Sequence, residues 1–156
     1  YMLYETANES IEIEKEIRII KDYIELEKLR YTDRLEVIFN HSIDHYHEKI
    51  APLILLPFVE NAFKHGAGES RFRSYIAIDL ALKDKQLIYE IKNSKEGSID
   101  SEQVKQTVSD ENSDNIGLSN IKRQLELIYP THQLTIDNNT NEFIVKLYIN
   151  LNDGKI

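Results

Sequence analysis

Residues 53–66, LILLPFVENAFKHG, constrain the fold more than any other stretch, because they join an apolar stripe to a row of polar groups that a core helix does not need. Read as a helix after Pro52, they put Leu53, Leu56, Val59, Ala62 and Phe63 on one buried side. Pro52 suits the first helical position, where its missing N–H has no partner to lose. Glu60, Asn61, Lys64 and His65 then gather on an adjoining side within about a turn and a half, at roughly 3.6 residues per turn. A carboxylate, an amide, an ammonium and an imidazole so arranged suit a metal-bound polyphosphate. Mg²⁺ keeps several waters, so the Asn61 oxygen plus phosphate oxygens suffice to hold it. Glu60 is placed to hold a metal-bound water or act as a base, while Lys64 and His65 donate to phosphate. Gly66 lets the backbone turn beside the ligand. The plainer reading is an amphipathic helix with a solvated polar side and a glycine cap, and the spacing alone leaves both open.

The rest of the chain must build a domain around this helix. With 156 residues, 41% hydrophobic and 29% charged, it has apolar material for one domain with a core. The lack of cysteine excludes a disulfide framework and a thiolate metal site. No apolar run reaches the roughly 20 residues that span a bilayer, so the chain is not expected to be a membrane segment itself. A net charge of −8 argues against a general nucleic-acid surface, and any nucleotide site must be locally basic.

Residues 1–6 look like the end of an element in a longer chain. From residue 13 to 31 the recurrence of Ile13, Ile17, Ile20 and Ile24, widened by Ile19, Tyr23 and Leu26, predicts a long helix. Glu14, Lys15, Glu16, Lys21 and Glu25 are assigned to its solvated face. Residues 35–39 alternate as a strand, with Leu35, Val37 and Phe39 on one side, and residues 43–47 read as a polar connection. His41, His45 and His47 have no supporting acid pair at ligand spacing, so no metal site is expected there. Residues 75–83 and 86–92 form a hairpin about Asp84 and Lys85, with Ile76, Ile78, Leu80 and Leu82 on the face of Leu87, Tyr89 and Ile91. Between residues 93 and 115 the hydrophobic signal fades, as in a lid over a ligand or a disordered connection. It ends at Ile116, Gly117, Leu118, Ser119 and Asn120, where a glycine at a helix mouth lets free N–H groups face an anion. Leu118, Ile121, Leu125 and Ile128 continue as a helical stripe. Residues 134–136 and 143–149 make a last pair of strands, and residues 151–156 are expected to fray. The sum is an α+β fold, a two-layer α/β sandwich whose mixed, mostly antiparallel sheet is covered by helices on one face.

On these motifs the chain resembles a known family. VENAFKHG, residues 59–66, resembles the N box, and IGLSNIKRQLELIYP, residues 116–130, resembles the last glycine box, of the Bergerat-fold (GHKL) ATPases, which include histidine kinases and gyrase. EIRIIKDYIELEKLRYTDRL, residues 16–35, followed by APLILLPFVENAFKHG, is similar to the LytS-type sensor histidine kinases. The resemblance implies a catalytic and ATP-binding domain at residues 9–150, preceded at residues 1–8 by the tail of a dimerisation helix and carrying an ATP lid at about 94–116. It implies ATP and Mg²⁺ as cofactors, Asn61 as the Mg²⁺ ligand, Glu60 beside the metal or reaction centre, and Lys64 and His65 on the phosphate and ribose side. Gly117 and Leu118 become the lid hinge, and Asn120 starts the helix at the phosphates. The aspartate of the family's adenine box falls at about Asn93, with Gly97 the remaining glycine candidate; an amide still accepts from the adenine amino group but lacks the charge. The acceptor histidine and its Phe-rich block are absent, since His41, His45, His47, His65 and His132 sit in no such block.

The implied activity is transfer of the ATP γ-phosphate to a histidine on the dimerisation domain, for relay to the receiver domain of a response regulator. The implied parent is a homodimer in the bacterial inner membrane, with this domain on the cytoplasmic side. A second reading is a degenerate module that binds nucleotide poorly or not at all and acts in dimerisation or regulator docking.

Overall fold

Alternation of apolar and polar residues builds the sheet. The computed structural model describes residues 10–31, 34–64, 74–94 and 108–154, the last of these by backbone alone as far as Gly117. Its elements run β1 (Ile11–Glu12), α1 (Ile13–Lys28), β2 (Leu35–Ile43), β3 (Lys49–Ile50), α2 (Leu56–Ala62), β4 (Ser74–Lys83), β5 (Gln86–Ser94), α3 (Val108–Ile128), β6 (His132–Asn138), β7 (Glu142–Asn150) and a 3₁₀ turn at Leu151–Asp153. Five strands form one sheet in the order β2-β4-β5-β7-β6; β2 is parallel to β4 and the other neighbours are antiparallel. β1 and β3 pair separately, tying the start of α1 to the segment before α2.

Every second residue of β4 and β5 points to one side. Ile76, Ile78, Leu80 and Leu82 stand opposite Asn93, Ile91, Tyr89 and Leu87, and all are buried. Val145, Leu147 and Ile149 extend this surface on β7. The other side carries Asp79, Glu90, Lys92 and Lys146, with both lysines within 3.7 Å of Glu90. Because only one face is apolar, the helices lie on that face. α1 contributes Ile13, Ile17, Ile20 and Ile24, α2 contributes Phe58, Val59 and Ala62, and α3 contributes Leu118, Ile121 and Leu125. α2 touches α1, α3 and β5 together. Phe58 meets Tyr89 edge to face, with ring centroids 5.9 Å apart. The expected α+β sandwich is the observed one.

Several expectations change. Ile19 and Leu26 do not widen the buried stripe of α1, being 37% and 67% exposed. α2 begins at Leu56 rather than directly after Pro52: residues 52–53 turn, Leu53 has φ 58° and is 49% exposed, and the proline of the first helical turn is Pro57. The buried side is therefore Leu55, Phe58, Val59, Ala62 and Phe63, with Leu56 half-buried. β2 continues to Ile43, because each residue from Leu35 onward finds a partner on β4. The chain does not fray at residue 151: Leu151 is buried, its N–H donates to the Lys85 carbonyl at 2.8 Å, and the backbone of Gly154 lies against the Tyr129 ring.

Candidate nucleotide site

The polar row on α2 is a consequence of what the helix buries. With Phe58, Val59, Ala62 and Phe63 turned inward, Asn61 is left half-buried at the edge and Glu60 and Lys64 are exposed. Phe63 fixes this rotation: it is 2% exposed, meets the Tyr23 ring edge to face at 5.6 Å between centroids, and has the Tyr31 ring at 6.3 Å. The Tyr23 hydroxyl is pushed up to about 12, first by burial and then by the carboxylates of Glu27 and Glu60, which sets the charge of Glu60 beside α1.

Asn93 stands near the end of β5, only 1% exposed and on the helical side of the sheet with Tyr89 and Ile91. Its Nδ2 donates to the Ser94 carbonyl at 3.2 Å. An amide oxygen at this position accepts hydrogen bonds without carrying charge.

Gly117, Leu118 and Asn120 lie well inside α3, so the expectation that Asn120 opens this helix is corrected. Leu118 is buried with Ile121 and Leu125, whereas Asn120 is exposed. A glycine inside a helix costs only about 1 kcal/mol relative to alanine, which lets α3 run through Gly117. Of the expected lid, residues 108–116 are helical, and residues 95–107, with Gly97, fall outside the described residues, as does His65. Since α2 touches both β5 and α3, the three groups Glu60, Asn61 and Lys64, then Asn93, then Leu118 and Asn120 share the helical side of the sheet. A shallow surface depression lined by Glu14, Arg18, Lys21 and Tyr46 contains none of these residues.

The histidines separate as their surroundings dictate. His41 bonds through Nδ1 to the Tyr46 hydroxyl at 3.1 Å, and His132 Nδ1 pairs with the Tyr129 carbonyl at 2.6 Å. His47 pairs with Glu12, and Glu14 joins them within 4.8 Å, an acid pair that sequence spacing did not show because it comes from the end of β1 and the start of α1, distant in sequence from His47. This cluster is exposed at His47, well within the ordinary run of surface ion pairs.

One functional group was misplaced by sequence alone. Glu16, assigned to a solvated face, is fully buried, and its two oxygens accept from Leu55 N–H at 3.0 Å and Leu53 N–H at 3.3 Å. The signal was available: positions 13, 16, 17, 20 and 24 form one stripe, and a lone carboxylate inside an apolar stripe needs buried partners.

The fold defines the class. The catalytic domain of histidine kinase ThkA is similar over 92% of this chain and 96% of its own, with TM-score 0.59 and 15% identity. Acinetobacter baumannii histidine kinase AdeS is similar over 92% of this chain and 67% of its own, with TM-score 0.55 and 10% identity. At such identity the likeness is one of fold, that of histidine kinase catalytic domains. Sequence then supplies the family: residues 53–150 match the GHKL domain, and the chain belongs to that family. Sensor histidine kinase YpdA of Escherichia coli is 32% identical over 123 residues, 78% of this chain and 21% of that protein. Sensor protein LytS of Staphylococcus saprophyticus is 27% identical over 126 residues, again 78% of this chain and 21% of that protein. The chain thus spans about a fifth of the length of these two relatives.

Proposed function

We propose that this chain is the ATP-binding catalytic domain of a sensor histidine kinase, presenting the ATP γ-phosphate to a histidine on a dimerisation domain for relay to a response regulator. The observation that carries this reading is the row Glu60, Asn61 and Lys64 on the solvent side of α2, in a GHKL-family chain whose α2 also touches the strand bearing Asn93. The donor set fits Mg²⁺, a hard cation: Asn61 offers a neutral amide oxygen at the helix edge, and Glu60 offers a carboxylate one residue earlier. When bound, Mg²⁺ supplies charge neutralisation at the phosphates. Asn61 would hold Mg²⁺ and with it the phosphates, Glu60 would stand beside the metal or take the acceptor's proton, and Lys64 and His65 would donate to phosphate and ribose oxygens. Asn93, with Gly97, accommodates the adenine through the amide oxygen. Gly117 and Leu118 form the hinge at which the first half of α3 moves, since helix propensity is lowest at the glycine, and Asn120 faces the phosphates from the exposed side of α3.

The parent protein is a homodimer held in the bacterial inner membrane, with this domain on the cytoplasmic side. Sensor kinases among the relatives support this, and among the described residues no helix is long and apolar enough to cross a membrane. Asn93 in place of a carboxylate favours a second reading, a module that holds nucleotide weakly and serves in dimerisation or regulator docking. Joining an upstream segment with an acceptor histidine to this chain and adding γ-labelled ATP separates the two. Label on the histidine supports the kinase; a folded protein that takes up none supports the module.

A further inference from the structure

The segment leading into α2 has no cap of its own. Leu55, the residue before the helix, offers no side-chain acceptor, yet the first N–H groups of a helix need partners. They find one in α1. Glu16 Oε1 accepts from Leu55 N–H at 3.0 Å and Oε2 from Leu53 N–H at 3.3 Å, and the amides of Ile54 and Leu56 also face the carboxyl group. Two tyrosines grip the same segment: the Tyr89 hydroxyl donates to the Leu55 carbonyl at 3.0 Å, and Ala51 N–H donates to the Tyr129 hydroxyl at 2.8 Å. All three side chains are buried. Burial drives the Glu16 carboxyl pKa up, while the four converging amides pull it back; both phenols are raised chiefly by burial, with the Glu16 charge adding to it.

A buried carboxylate is a poor way to gain stability alone, because apolar replacements of buried ionic groups are often neutral or stabilising. Its geometry instead fixes where α2 starts. Asn61 lies six residues beyond Leu55, about 9 Å along the helix at a rise of about 1.5 Å per residue. We infer that Glu16 is a positioning residue of the nucleotide site, its carboxylate pinning the entry to α2 so that Asn61 meets the metal-bound phosphate. This rests on the reading of Asn61 as the metal ligand.

The test compares the unaltered chain with Glu16→Gln, which keeps the size but turns one acceptor into a donor. ATP affinity is measured calorimetrically with and without Mg²⁺, and exchange of the Leu53 and Leu55 amides is followed by NMR. The expected result is a loss of about tenfold in affinity with Mg²⁺, the scale typical of groups that orient a metal ligand, a smaller change without it, and faster exchange of both amides. Equal losses with and without Mg²⁺, or unchanged Mg²⁺-dependent affinity, overturn the inference. If the unaltered chain binds no nucleotide, the reading of the site has failed, and amide exchange decides the cap by itself: faster exchange upholds it and unchanged exchange overturns it. Should Glu16→Gln not fold, Glu16→Asp, which keeps the charge on a shorter arm, is measured against the same outcomes.

Discussion

Phe63 meets the Tyr23 ring edge to face and has the tilted Tyr31 ring at 6.3 Å, and with Phe63 buried Asn61 is left half-buried at the helix edge. Phe63→Ala should therefore cost roughly 3–5 kcal/mol in denaturant unfolding, the range for deleting a buried phenyl ring. A variant that melts normally would contradict the placement of α2. Residue by residue, the sequence was most legible here: Val59, Ala62 and Phe63 are buried and Glu60 and Lys64 exposed, as helical spacing required. Leu53 was misassigned because periodicity cannot see that the turn at residues 52–53 delays the helix. Glu16 lies on the stripe that periodicity does show, but the amides its carboxylate meets are distant in sequence. The Glu12–His47 pair was invisible for the same reason, its partners being distant in sequence. Its pH dependence follows from the two shifts. His47 is raised above its ordinary 6.5, chiefly by its bond to Glu12, so its contribution is complete below 6.5 and fades as pH climbs through the folded-state value. Glu12 is lowered below 4.5, chiefly by the bond to His47, so its contribution is complete above 4.5 and disappears as pH drops through the folded-state value. An NMR titration of His47 should show its pKa falling in Glu12→Gln; an unchanged value would mean the pair does not form in solution.

At the level of elements, the hairpin between β4 and β5 and the segment before α2 make opposite predictions. Asp84 and Lys85 both hold positive φ, 50° and 64°, which suits the twist of a two-residue hairpin but strains L residues. Lys85→Gly should raise stability by about 1 kcal/mol, read as a higher melting temperature; a drop would show that the Lys85 side chain does more than tolerate the turn. Tyr129→Phe should lower stability by about 1–3 kcal/mol, because it strips the buried Ala51 N–H of its acceptor without opening a cavity. Equal stability of the two proteins would mean that water replaces the hydroxyl. The hairpin could be read from alternation around two turn residues, and its register is the expected one. The start of α3 could not, because the polar run ahead of Gly117 offers no stripe to mark it, while backbone hydrogen bonding carries the helix back to Val108.

Across the whole molecule, one apolar sheet face gathers three helices, and the middle one, α2, touches the other two and β5 at once. That arrangement puts the polar row of α2 on an element packed against both α3 and the strand carrying Asn93, which is why the row is proposed as part of the nucleotide site. The sandwich itself was legible because strand alternation and helical stripes are strong local signals. The parallel pairing of β2 with β4 was not, as it depends on a crossover through α2 rather than on a tight turn. The most direct test of the account is calorimetric titration of this chain with ATP, with and without Mg²⁺, beside Asn61→Ala. Micromolar to submillimolar binding that strengthens with Mg²⁺, and loses that Mg²⁺ dependence in Asn61→Ala while stability changes by less than about 1 kcal/mol, is the predicted result. No binding up to millimolar nucleotide, or a Mg²⁺ dependence that survives Asn61→Ala, would contradict it.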